Sequence, residues 1–249
     1  MFDNTGKADP DAKLVMGPNI SDWPEIAPLK RHLLLKTAGV YSGSVTTDEL
    51  VPSGEASSYR SNPEKLSDFT MMSRDPDYVP KARTIRTKAR SINSGSGDVS
   101  FGSVIVSDQI GDGSSREQAA SCQKVLGGAA NLTREFSTKR YRSNCINWGL
   151  LPLRTEEPLN LSDGSWLFVS DILECLRSGA SEVRVLVLDF PSDADPHDVV
   201  ALLRQPEGIA KRTRRSILCT LDTLTKTERE VLSAGCLINY YRNKAATRK

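Results

Sequence analysis

Apolar residues along the chain fall into short runs, separated by longer stretches where apolar and polar positions mix at helical spacing. The runs at 103–107, 129–132, 150–153, 166–169, 182–189 and 216–221 are mostly apolar and bounded by turn-forming residues, so they predict strands. Between them, 77–90, 115–126, 136–148, 172–177 and 196–204 predict helices, the first of them partial and solvated. A capping pattern at Thr225-Lys226-Thr227-Glu228 opens a last helix, with Val231, Leu232, Cys236, Leu237, Tyr240 and Tyr241 turned inward. From 103 to 153 strand and helix alternate, which predicts an α/β fold: a mixed, largely parallel sheet layered with helices.

The ends of the chain are patterned differently. Residues 1–40 carry Pro10, Pro18, Pro24 and Pro28 and, apart from Leu33-Leu34-Leu35, little to bury, so they read as an extended arm or linker. The folded domain is then expected over 41–249, with a core at 41–156 and a C-terminal extension at 157–249. Within the core, 45–63 is rich in Thr, Ser, Asp, Pro and Gly and predicts loops around short strands, and 91–97 a loose turn.

Composition narrows the class without naming a chemistry. Apolar and charged fractions of 38% and 26% are those of a globular chain, and a net charge of +2 gives no global attraction to nucleic acid or membrane. No apolar stretch has the length of a membrane span and the first residues are polar, which favours the cytoplasm. Five scattered cysteines without Cys-x-x-Cys spacing fit reduced thiols, and with only His32 and His197 to join them they make no metal cage.

Candidate chemistry concentrates at Gly111-Asp112-Gly113-Ser114-Ser115-Arg116-Glu117, between a predicted strand and a predicted helix. Two glycines free the backbone for a tight turn, and the serines suit a helix start, where unpaired N–H groups and the dipole attract an anion. Arg116 adds a permanent, forked cation suited to a carboxylate. In an α/β sheet the ligand lies at such a carboxyl end of a strand.

Together, Thr46-Thr47-Asp48, Tyr59-Arg60-Ser61-Asn62, Gly111 to Glu117, Leu126-Gly127-Gly128 and Gly149-Leu150-Leu151-Pro152-Leu153 resemble the C-terminal swivel domain of the aconitase family. That family includes aconitate hydratase and the small subunit of isopropylmalate isomerase, and the C-terminal Ala234 to Tyr241 resembles a bacterial hydratase subgroup. The resemblance implies a hydro-lyase acting on a hydroxy di- or tricarboxylate. It makes Ser114 the catalytic base, with Arg116 supporting it and binding a substrate carboxylate. It makes Arg60 a bidentate carboxylate clamp, Ser115 a further carboxylate contact, and Thr47 and Asp48 residues that orient substrate and base. Departures from the family pattern, Glu49 and Gln118 where histidine is usual and Val51 where a serine is found, touch the edge of the pocket.

The resemblance also implies a 4Fe-4S cluster on other domains, whose open iron takes the substrate hydroxyl. This chain is therefore expected to be half an active site, a small subunit or the C-terminal piece of a longer enzyme, working with a cluster-bearing large subunit or N-terminal domains. A different class also fits: a non-catalytic module binding anions or RNA through Lys139 to Arg142 and Lys211 to Arg215. Metal-free catalysis by the chain alone is disfavoured, because nothing in the sequence stabilises a departing hydroxide.

Overall fold

The computed structural model describes residues 6, 9, 11–13, 15–52, 54 and 56–247. Ser53 and Glu55 of the 45–63 loop and much of the start of the expected arm lie outside these.

Two long parallel strands organise the chain. β1 (His32–Thr46) and β2 (Val99–Asp112) pair from His32 opposite Val99 to Thr46 opposite Asp112. β2 is buried at every position from Val99 to Ser107, the pattern of a strand covered on both faces. The same holds for the leucine run of β1: Leu33 and Leu35 join one apolar cluster with Val104, Leu132 and Leu153, whereas Leu34 joins another with Phe101, Ile105 and Trp166. Each fully buried leucine contributes roughly 1.5–3 kcal/mol. The run is thus a central strand, and the strand crosses the boundary expected at residue 40; the extended arm ends before His32.

The crossover from β1 to β2 holds α1 (Thr47–Leu50), a 3₁₀ turn (Ser57–Tyr59), α2 (Pro63–Ser67) and α3 (Tyr78–Ser94). α3 is longer than expected and buries Tyr78, Val79, Ala82, Ile85, Ala89 and Ile92 at helical spacing, so one face is core and only the other solvated. Next come α4 (Arg116–Val125), β3 (Gly128–Phe136), α5 (Lys139–Asn147) and β4 (Leu151–Arg154), with β2, β3 and β4 parallel neighbours.

The second half is β5 (Trp166–Val169), α6 (Ile172–Ser178), β6 (Glu182–Leu188), α7 (Pro196–Leu203), α8 (Pro206–Arg212) and β7 (Thr213–Thr220). Its three strands pair antiparallel and close the sheet into a barrel in the order β1-β2-β3-β4-β7-β6-β5. The sheet is mixed, as expected, but its parallel character is confined to β1–β4, and it closes on itself instead of lying as an open layer. Closure removes the exposed edges an open sheet would present.

The C-terminal helix is two helices, α9 (Lys226–Ala234) and α10 (Leu237–Ala246). Gly235 breaks them at φ 90°, and a side chain there would collide with the Ala27 carbonyl. The break turns Tyr241 outward, 61% exposed, while Tyr240 stays buried. Among the described residues no helix is long and apolar enough to cross a membrane.

Candidate functional site

β1 and β2 are parallel neighbours, so their carboxyl ends open at the same place, and both continue into helices there. Thr46 caps α1: its hydroxyl accepts from the Glu49 N–H while the Glu49 carboxylate accepts from the Thr46 N–H. Glu49 also pairs with Arg74 at 3.1 Å. The residue standing where the resemblance led to a histidine is thus engaged in fixing α1.

Beyond β2, Gly111 and Gly113 both adopt left-handed conformations, φ 91° and 124°. A β-carbon on Gly111 would meet the Tyr141 ring at 2.0 Å, and one on Gly113 would meet Thr47 Oγ1 at 2.1 Å. Two glycines are required because the turn is wedged between α5 and α1. Ser114 is exposed and Ser115 half-buried at the N-cap of α4, and Ser115 makes no side-chain cap hydrogen bond. Its hydroxyl does not serve the helix as the sequence suggested; it faces a cavity.

That cavity, about 260 Å³, is lined by Arg60, Ser114, Ser115 and Gln118, with Val51, Pro52, Ala56, Ser57 and Leu66 completing its walls. Its size suits a small acid more than a nucleotide, since ligand pockets generally span about 300–1,000 Å³. Arg60 and the serines, remote in sequence, meet on it. Thr47, Asp48 and Arg116 do not form part of its wall. Thr47 is buried against Gly113, Asp48 lies exposed in the first turn of α1, and Arg116 opens α4 half-buried, its Nε buried without a hydrogen-bond partner. An orphaned guanidinium N–H beside a helix start is a donor still to be satisfied.

Glu117 stabilises this corner: it accepts from Trp148 Nε1 at 2.6 Å and from the Asn144 side chain, locking the start of α4 to α5. Of the apolar half of the cavity, sequence reasoning reached Val51, at the edge of the pocket, and missed Ala56 and Leu66, because the three belong to a small cluster around Cys122 that only the fold brings together.

A larger cavity, about 660 Å³, lies among α6, α9 and α10. It contains none of Thr47, Asp48, Arg60, Ser114, Ser115 and Arg116, although Ala234 and Tyr240 of the C-terminal stretch line it, and Glu230 is its one carboxylate among four Lys and Arg side chains. The smaller cavity carries the serine, arginine and helix-start chemistry and is taken as the site. Four arginines of the two basic runs, Arg142, Arg212, Arg214 and Arg215, contact other parts of the fold. Arg142 donates to the Leu221 carbonyl, Arg214 pairs with Asp189, Arg215 donates to the Pro158 and Leu159 carbonyls, and Arg212 lies 5.0 Å from the centre of the Phe190 ring. Among the described residues no group of three or more His, Cys, Asp or Glu side chains could hold a metal ion.

A serine-bearing glycine turn thus stands at the joint carboxyl end of two parallel strands in a mixed α/β barrel. The Aconitase C-terminal domain model matches residues 100–158, which run from β2 past β4. The 3-isopropylmalate dehydratase small subunit of Clostridium acetobutylicum is 31% identical over 178 residues, 71% of this chain and 94% of that one. The methanogen homoaconitase small subunit of Methanocaldococcus jannaschii is 26% identical over 206 residues, 82% of this chain and 88% of that one. The crystal structure of 3-isopropylmalate dehydratase from M. jannaschii shares the fold at TM-score 0.52 and 23% identity, covering 86% of this chain and 97% of that one. The chain belongs to the aconitase family of hydro-lyases, as a swivel-type domain.

Proposed function

We propose that the chain is the swivel half of an aconitase-type dehydratase that removes water from, and returns it to, a hydroxy di- or tricarboxylate. The observation that carries this is the convergence of Arg60 with Ser114 and Ser115 on one small cavity. Small-subunit relatives named for isopropylmalate and homoaconitate chemistry support the substrate class.

In this reading Ser114 takes the proton from the carbon beside a substrate carboxylate. A serine hydroxyl is a weak base, so its alkoxide needs charge nearby: the α4 start and Arg116 supply it. Arg60 grips one carboxylate with its fork from the far wall, and Ser115 donates to a carboxylate from the N-cap. Thr47 holds the turn in place from α1, beside Asp48, which orients the base. The 4Fe-4S cluster implied by the family belongs on a large partner subunit or preceding domains, where it supplies the Lewis acid for the substrate hydroxyl; no donor set for it is present among the described residues of this chain.

Ser114→Ala in the complex with the cluster-bearing partner tests the reading. Turnover is expected to fall about 10²–10⁴-fold, the usual contribution of a positioned base, with substrate binding retained. Wild-type turnover on isopropylmalate, homocitrate and citrate alike would remove Ser114 from the mechanism.

A further inference from the structure

We infer that Ser21 and Trp23, in the extended arm, are positioning residues that strap the loop carrying Arg60 to the helix start carrying Ser115 and Arg116. The inference rests on the reading of those residues as the substrate site, and adds to it the segment that holds its two walls in register.

The Arg60 wall has little internal structure. Arg60 follows a single 3₁₀ turn, its side chain is exposed, and its loop is closed by short-range bonds such as Asn62 N–H to the Tyr59 carbonyl. Ser21 ties this loop down from far along the chain. Its N–H donates to the Ser61 carbonyl at 3.0 Å, and its hydroxyl donates to Asn62 Oδ1 at 3.0 Å. Asn62 Oδ1 is also the N-cap acceptor of α2, taking the Lys65 N–H at 3.1 Å. Ser21 thus grips the two residues that immediately follow Arg60.

Two positions on, the arm reaches the other wall. The Trp23 ring packs on Trp148 with centroids 4.3 Å apart, and Trp148 Nε1 donates to Glu117 at 2.6 Å. Glu117 is the neighbour of Arg116 in the first turn of α4. The arm is then fixed behind these contacts. Asn239 Nδ2 donates to the Ile26 carbonyl at 2.7 Å, Leu29 N–H donates to the Ser233 carbonyl at 3.1 Å, and Ala27 packs on Gly235 so closely that no side chain fits there. One short extended segment, anchored at the α9–α10 break, therefore holds the residues just behind each wall: Ser61 and Asn62 next to Arg60, and Trp148, which binds Glu117 next to Arg116. The bodies of the two walls meet directly where α2 packs on α4, Leu66 beside Cys122; the arm adds to that contact a tie on the residues just after Arg60 and one behind the start of α4, and so sets the spacing of guanidinium and serine more finely.

The test uses the full chain in its complex with the cluster-bearing partner, with hydrogen exchange measured on the same preparations. Ser21→Ala removes one hydrogen bond to the Arg60 loop and is expected to raise KM about three- to tenfold with kcat nearly unchanged. Trp23→Ala is expected to raise KM and lower kcat together, while Trp23→Phe, which keeps the ring stack, restores both. Exchange should quicken at 57–66 in both alanine variants, at 116–120 in Trp23→Ala, and nowhere in β1–β4. Wild-type constants and exchange in both alanine variants, with Ser114→Ala inactive, would overturn the strap while leaving the site reading intact. Normal turnover by Ser114→Ala would instead remove the site reading, and unaltered exchange at 57–66 and 116–120 would still overturn the strap by itself.

Discussion

Thr47 Oγ1 occupies the space a side chain on Gly113 would need, 2.1 Å from where its β-carbon would stand. Thr47 is 1% exposed and cannot retreat into the α1 core, and the φ of 124° at Gly113 is itself unfavourable for any residue with a β-carbon. Gly113→Ala is therefore expected to cost about 1–3 kcal/mol in denaturant unfolding and to displace Ser114. In a Thr47→Ala background the cost should shrink, because the clash is relieved while the backbone strain stays; a double-mutant cycle measures the difference. Strict additivity would show that the two residues do not constrain each other.

Arg60 supplies the second prediction. Lysine keeps the charge but presents a point instead of a fork, so a bidentate grip on a carboxylate becomes a single contact. Arg60→Lys is expected to raise KM by about ten- to a hundredfold, the worth of one charged hydrogen bond at about 1.5–3 kcal/mol, with a much smaller change in kcat. Equal loss in kcat and kcat/KM would place Arg60 on the transition state instead of on the bound substrate.

Tyr141 separates stability from chemistry. Its ring lies under Gly111, while its buried hydroxyl accepts from Gln123 Nε2 at 2.5 Å and from Asn131 Nδ2 at 3.4 Å. Tyr141→Phe keeps the ring beneath the turn and takes one acceptor from each amide, leaving Gln123 Nε2 the Ala119 carbonyl and Asn131 Nδ2 the Cys145 sulfur. Unfolding free energy should drop by about 1–3 kcal/mol, the cost of unpaired buried donors, while kcat and KM stay near wild type. A changed kcat would mean that the hydroxyl reaches the chemistry.

The parts of this site that were legible in the sequence are those whose constraints are local. Gly111 and Gly113 announce a turn because few other residues adopt its backbone angles, and the Thr225 to Glu228 capping box fixed the start of α9 within a residue. The strands buried on both faces are visible as apolar runs, yet Leu33-Leu34-Leu35 reads as part of the arm, because a central strand and a greasy patch of linker look alike without their neighbours. Barrel closure was not legible: it depends on β7 finding β4 through the pair Thr220 and Arg154, remote positions that no periodicity links. The same reason hid the meeting of Ser21 with Asn62 and of Trp23 with Trp148, and the resemblance supplied Arg60 and Val51 only as motif positions, without Ala56 and Leu66 beside them.

The buried thiols give the protein an alkaline limit whose sign can be worked out group by group. Burial pushes Cys122, Cys145 and Cys219 each up to about 12 from an ordinary value near 9. Between pH 9 and 12 the unfolded chain has lost these protons and the folded chain has kept them, so the unfolded state binds fewer protons and stability falls as pH rises. Each such thiol contributes a slope of about 1.4 kcal/mol per pH unit at full effect. Lys124 acts in the opposite sense: desolvation pulls it down to about 8 from an ordinary 10.5, although its ammonium donates to the Gly149 carbonyl at 3.1 Å. From pH 8 to 10.5 the unfolded chain holds a proton that the folded chain has released, and that group alone makes stability rise with pH. Urea midpoints measured from pH 8 to 10.5 separate the two. Cys219→Ala should flatten the alkaline decline by one proton's slope, and Lys124→Met should steepen it by the same amount. Parallel curves for wild type and both variants would show that neither group changes its proton affinity on folding.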